Sequence, residues 1–152
     1  MKTILMIISA VLVLSSCASA PKSTRTPNVD FPAYTIAAIG TDTSGSNIVL
    51  MDMHMQIQNV LLASGFDVIV DTRIGDLTPE ERTRLFIVEF SITSGSNGSI
   101  CLIYFTDHIS GNLIATFRGA SHLGFSIDGD RRRAIDMAVR EMANVLQNNR
   151  GS

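Results

Sequence analysis

The chain has 152 residues but only two cysteines, three histidines and no tryptophan, and these scarcities limit its chemistry before any motif is sought. Any Ser-His-Asp or Cys-His site must recruit His54, His108 or His122 as its base. No His-Glu-x-x-His spacing occurs, which removes the common helical zinc-hydrolase arrangement. The glycine-rich stretches 40–45 and 95–98 lack the Lys-Ser/Thr of a phosphate-binding loop and the strand-to-helix setting of a dinucleotide site, so they read as loops. Gly124-Phe125-Ser126-Ile127-Asp128 fails the Gly-x-Ser-x-Gly nucleophile elbow at its last position. Excess basic charge is missing too: 12 Lys and Arg stand against 14 Asp and Glu, which argues against a nucleic-acid partner. The apolar run Ile4 to Leu14 is too short for a membrane span. As a helix it reaches about 16 Å against a hydrocarbon core of roughly 30 Å.

What is present at the start is a secretory leader. Lys2 supplies its positive end, and Ile4 to Leu14 its apolar segment, diluted only by Ser9 and Ala10. The run closes on Leu14-Ser15-Ser16-Cys17, which resembles the lipobox of bacterial lipoproteins. That resemblance implies cleavage before Cys17, a diacylglycerol thioether on its sulfur and an acyl chain on its new amino group. Two or more chains anchor a protein stably, whereas one is marginal. The bland alternative is an ordinary cleaved signal with an incidental cysteine. Ala18 stands where Asp retains enteric lipoproteins at the inner membrane, so the resemblance points to the periplasmic face of the outer membrane.

Removing residues 1–16 leaves 136 residues, enough for one domain with a real core. The leader takes one Lys and no acid, so 11 basic and 14 acidic residues remain, a net charge of −3. If Cys17 carries lipid it cannot form a disulfide, and Cys101 is the only thiol. Cys101 lies in the run Ile100 to Phe105 and reads as a small hydrophobe, with nothing near it in sequence to lower its pKa. No cofactor is expected beyond the covalent lipid.

Residues 17–33 hold prolines, Ser, Thr and little to bury, and are expected to be a flexible tether of about 20 Å root-mean-square reach. A single α+β domain is expected over 34–148, with a disordered tail at 149–152. Tyr34 to Ile39 reads as a first strand. Asn47 to Ser64 follows, capped by Ser46 or Asn47, as an amphipathic helix burying one face through Leu50, Met53, Ile57, Val60 and Leu61. Phe66 to Asp71 is a strand after the Gly65 stop, and Thr78-Pro79-Glu80-Glu81 matches a capping box. Leu85 to Thr93, Ile100 to Thr106 and Leu113 to Ala120 are strands joined by hairpins at Asn97-Gly98 and Ser110-Gly111-Asn112. Asp130 is the expected cap of a last helix whose stripe is Ile135, Ala138, Val139, Met142, Val145 and Leu146.

The order β-α-β-β-β-β-α predicts a two-layer sandwich: a mainly antiparallel sheet whose last four strands form a meander, with two helices on one face. The first strand is expected inside the sheet, with a parallel neighbour allowed.

The stretch Tyr104-Phe105-Thr106-Asp107, Ser110-Gly111-Asn112-Leu113 and Thr116-Phe117-Arg118-Gly119 is similar to an uncharacterised family of Gram-negative envelope lipoproteins. That family's closing hairpin runs Asp, Gly, Leu, then an aromatic residue before Arg-Gly; its usual Trp is Phe117 here. Leu61-Leu62-Ala63-Ser64-Gly65-Phe66-Asp67-Val68 resembles the first helix-to-strand junction of the curli-secretion lipoprotein and penicillin-binding-protein activator domains. The resemblances cover about half of the mature chain and bring a small α+β fold but no catalytic residue.

Met51-Asp52-Met53-His54-Met55 offers thioether and imidazole donors of the kind that suits Cu(I). On one helix these side chains diverge, and methionines at such spacing ordinarily fill a core. Arg131-Arg132-Arg133 is a solvated first turn or, with Lys22 and Arg25, a contact for anionic lipid or an acidic partner. The leading expectation is a membrane-anchored accessory or binding lipoprotein working through an envelope protein or polymer, without catalysis. The alternatives are an envelope hydrolase with His108 or His122 as base, and copper handling by Met53 and His54.

Overall fold

The computed structural model describes residues 24–25, 31–40, 48–122 and 126–149. The leader, Cys17, most of the tether and the cap positions Ser46 and Asn47 lie outside them.

The architecture is the expected α+β two-layer sandwich. Among the described residues six strands form one sheet: β1 (Thr24–Arg25), β2 (Ile36–Ile39), β3 (Asp67–Val70), β4 (Leu85–Gly95), β5 (Gly98–Asp107) and β6 (Leu113–Ser121). Across the sheet they run β1-β6-β5-β4-β2-β3. Helix α1 (Ile48–Ala63) packs on β2 and β3, and helix α3 (Ile127–Asn148) on β4, β5 and β6. The single turn α2 (Pro79–Arg82) sits between β3 and β4.

The four-strand meander is corrected to three. Strand β2 inserts between β3 and β4 and runs parallel to both, so β3 is an edge strand with no hydrogen bond to β4. All four β2 residues are buried, because a strand flanked on both edges and covered on both faces has no solvent side. The tether boundary also moves. Thr24 and Arg25 pair with Thr116 and Ala115 on the outer edge of β6, and Phe31 is buried against Phe105 at 6.3 Å between ring centres.

Between the sheet and the helices lies the main core. Phe86, Phe105 and Phe117 come from three adjacent strands, with ring centres 4.7 and 5.0 Å apart, and Phe66 stands edge-on to Phe86 at 5.2 Å. Full burial of each such ring is worth about 1.5–3 kcal/mol. A smaller cluster on the opposite face joins Ile36, Ala38 and Leu85 to Ile74 and Leu77 of the 71–77 segment. Beyond that segment, among the described residues no helix covers this second face over β4 to β6.

Helix α1 buries one face, as expected, but is apolar on a second, exposed side as well. Met53, Ile57 and Leu61 are buried, but Ile48, Met51, Met55 and Leu62 form a second apolar row with exposures of 50–76%. The capping box at α2 forms as expected: Thr78 Oγ1 accepts from the Glu81 amide at 3.2 Å, and Glu81 Oε2 accepts from the Thr78 amide at 2.8 Å. The cap of α3 is Ser126, whose Oγ accepts from the Gly129 amide at 3.0 Å, whereas Asp130 lies buried in the first turn.

Gly119 sets the seat of α3. A Cβ there would collide with the Ala134 carbonyl and lie 2.7 Å from the Ala138 nitrogen, so only glycine lets helix and strand approach this closely. Gly119→Ala is therefore expected to lower stability by about 2–3 kcal/mol through overpacking. Gly75→Ala, in open space, should be near neutral; denaturant midpoints check both.

At the far end of the sheet Tyr34 Oη donates to Asp107 Oδ2 at 2.9 Å. Burial, then the Asp107 bond and charge, push the Tyr34 hydroxyl up to about 12. Burial opposes ionisation of Asp107, but hydrogen bonds from the Ser110 amide and hydroxyl, from Tyr34 and from the Ile109 amide outweigh it and lower its pKa. A raised pKa in the folded state gives stability that is complete below the unfolded tyrosine value near 10 and is lost toward 12. A lowered carboxyl pKa gives stability that is complete above about 4 and is lost in stronger acid. Melting temperature should accordingly fall at both extremes, and Tyr34→Phe should remove the alkaline fall and shrink the acid one.

Candidate functional site

The structure gathers polar chemistry at one end of the sheet, where β4 turns into β5. Gly95 pairs with Gly98, leaving Ser96 and Asn97 as a two-residue turn. Gly98 has φ of +107°, and a Cβ on it would clash with the Ser121 carbonyl and sit 2.9 Å from the His122 Cα. The glycine thus lets the turn rest against the end of β6.

An open cleft of about 400 Å³ lies there. It is lined by Thr93, Ser96, Asn97, Ile100, Arg118 and His122 among others. Side chains alternate between faces along a strand. Cys101, Ile103 and Phe117 enter the main core, so Ile100, Leu102, Tyr104 and Arg118 belong to the face away from the helices. Ile100, 39% exposed, forms an apolar patch in the cleft. Arg118 pairs in register with Leu102 and is partly buried. Among the described residues its guanidinium has no hydrogen bond or ion pair.

Behind the turn, on the helix side, a hydroxyl network ties α3 to the hairpin. Ser94 Oγ and Ser99 Oγ are 2.9 Å apart, and Arg131 Nε donates to Ser94 Oγ at 2.9 Å. Arg131 Nη1 is also 3.4 Å from the exposed Asp128 carboxylate. Ser121 Oγ donates to the buried Asp130 carboxylate at 2.7 Å. Of the arginine cluster, then, Arg131 is a strut between helix and hairpin, while Arg132 and Arg133 are exposed.

The residues weighed as reactive are not brought together. His108 follows β5 at one end of the sheet and His122 follows β6 at the other, separated by roughly 30 Å of strand. Neither imidazole hydrogen-bonds a carboxylate or a hydroxyl among the described residues. The Ser121–Asp130 pair is direct, with no imidazole between, and both members are buried. Met53 is buried and its sulfur accepts from Cys101 Sγ at 3.8 Å, while the His54 ring stands edge-on to Phe90. Met51 and Met55 face solvent. Among the described residues no three His, Cys, Asp or Glu side chains converge as a metal group, and no helix is long and apolar enough to cross a membrane.

No family model matches the chain, and no curated protein matches it. Among solved structures it is similar to a variant PelC dodecamer from Paraburkholderia phytofirmans at 16% identity and a TM-score of 0.47, covering 83% of this chain and 97% of that one. It is also similar to another PelC dodecamer from the same organism at 15% identity and a TM-score of 0.46, covering 81% and 96%. At this distance the likeness supports nothing about activity, ligand or assembly.

What sequence reasoning missed was the cleft itself. Arg118 was legible only as part of a hairpin motif, and its partnership with Ser96, Asn97 and His122 depends on the pairing of β5 with β6.

Cys101 is fully buried, and burial alone pushes its thiol up to about 12. In the native protein at pH 8 it should resist a thiol reagent, and it should react at once in denaturant, as a labelling time course would show.

Proposed function

We propose that this chain is a lipid-anchored accessory protein of the bacterial cell envelope, held at the periplasmic face of the outer membrane by Cys17. It works there by contact with an envelope protein or polymer. The observation that carries the reading is the sequence Leu14-Ser15-Ser16-Cys17 at the end of a leader too short to span a bilayer. An open sheet face with a polar cleft at its end supports recognition as the mode of action, because such surfaces bind without needing a nucleophile and base in register.

Strand β1 gives the anchor a geometric consequence. From Cys17 to Thr24 there are seven residue steps, a reach of at most about 25 Å. An anchored chain would therefore hold the β1–β6 side of the sheet close to the bilayer, with β3 at the far edge.

Cells expressing the full chain should incorporate labelled palmitate into it and carry it in the outer-membrane fraction. Cys17→Ser should abolish the label and release the protein from that fraction or leave it as uncleaved precursor. Equal labelling of the Cys17→Ser chain would sink the anchor reading.

A further inference from the structure

We infer that the cleft at the β4–β5 turn binds a linear glycan that carries carboxylates with neutral sugars between them, and that Arg118 holds one of those carboxylates. This rests on the reading of the chain as an envelope contact protein and names the ligand of its open face.

The charge of the cleft selects the sign of the ligand. Among the described residues that line it Arg118 is the one fully charged side chain and there is no carboxylate, and Arg131 reaches its Ser94 wall. The Arg118 guanidinium has no partner among the described residues and its nitrogens reach solvent, so a carboxylate can accept two of its N–H groups without breaking a bond within the chain. The rest of the lining selects the kind of molecule. Thr93, Ser96 and Asn97 offer hydroxyl and amide groups that both donate and accept, as sugar hydroxyls require. Ile100 supplies an apolar patch for the C–H face of a ring.

The shape selects a polymer. The cleft is open, and it continues onto the face of β5 that no described helix covers, where Ile100, Leu102 and Tyr104 point the same way at spacings of about 7 Å. Tyr104 gives this row a ring that can stack on a sugar and a hydroxyl that can bond it. Glu89 pairs with Tyr104 in register and is exposed on the same face. It disfavours a second carboxylate at that row, so the unit beside the one held by Arg118 is a neutral sugar.

The test is titration of the full lipidated chain in detergent micelles with a hexasaccharide alternating uronate and N-acetylhexosamine. Competitors of equal length are a neutral N-acetylhexosamine hexamer and hexaglutamate; inorganic phosphate and phosphatidylglycerol vesicles are also titrated. The acidic hexasaccharide should bind best, weaken at high salt, and lose about tenfold or more in affinity in Arg118→Ala and Arg118→Gln. Arg118→Lys should recover part of the loss, and Arg133→Ala, on the exposed turn of α3, should bind as the parent does. Near-parental melting temperatures of the Arg118 variants show that the loss is not unfolding. Absence of hexasaccharide binding, equal binding by the Arg118 variants, or preference for hexaglutamate, phosphate or vesicles overturns the inference. Palmitate labelling is scored separately, so a failure here with labelling intact removes the glycan and leaves the anchor.

Discussion

Helix α3 can lie against β6 only where residue 119 has no side chain, and much of the molecule is positioned by that contact. With the helix seated at Ala134 and Ala138, its first turn falls beside the end of the β4–β5 hairpin. Asp130 then meets Ser121, and Arg131 meets Ser94. These bonds hold the hairpin tip to the helix layer, and the tip forms one wall of the cleft. The same seating puts α3 on the face that α1 also covers, and among the described residues no helix lies on the opposite face over β4 to β6. A backbone approach deep in the fold therefore decides which surface is left for a partner.

The polar pairs of this end show a division of labour between burial and exposure. Asp130 and Ser121 are buried and satisfy each other, as a carboxylate away from water must be satisfied. Arg118 is placed on the other face, where no described side chain answers it. Its nitrogens reach solvent, so this cation, unlike the Asp130 carboxylate, is open to a group from outside the chain.

Local signals carried far in this sequence and non-local ones did not. Thr78 and Glu81 announce their reciprocal bonds because all the partners lie within one turn. The hairpin after β4 and the glycine at 111, with φ of +69°, are legible for the same reason, although the first turn falls at Ser96-Asn97, one residue before the Asn97-Gly98 pair that signals it. Insertion of β2 between β3 and β4 is not, since nothing in Ile36-Ala37-Ala38-Ile39 states which strands it will join. Ser126 and Asp130 are both good caps, and the choice between them was made by Ser121, a residue on β6. Helix α1 is apolar on two sides, so periodicity alone found one stripe and could not show that Ile48, Met51, Met55 and Leu62 form another. The cleft belongs to this second class, because its walls come from β4, β5, β6 and the turn between the first two.

The short pairing of β1 with β6 sets how strongly an anchored domain is concentrated at its membrane. With Cys17 lipidated as proposed and Thr24 held at Thr116, seven residues would form the leash; if that pairing opened, the next buried residue among the described ones would be Phe31 and the leash would double to fourteen. Effective concentration falls as about the −3/2 power of leash length, so opening would dilute the domain roughly threefold at any site near the bilayer. Two paired residues could thus act as a gain setting on every encounter made at the membrane.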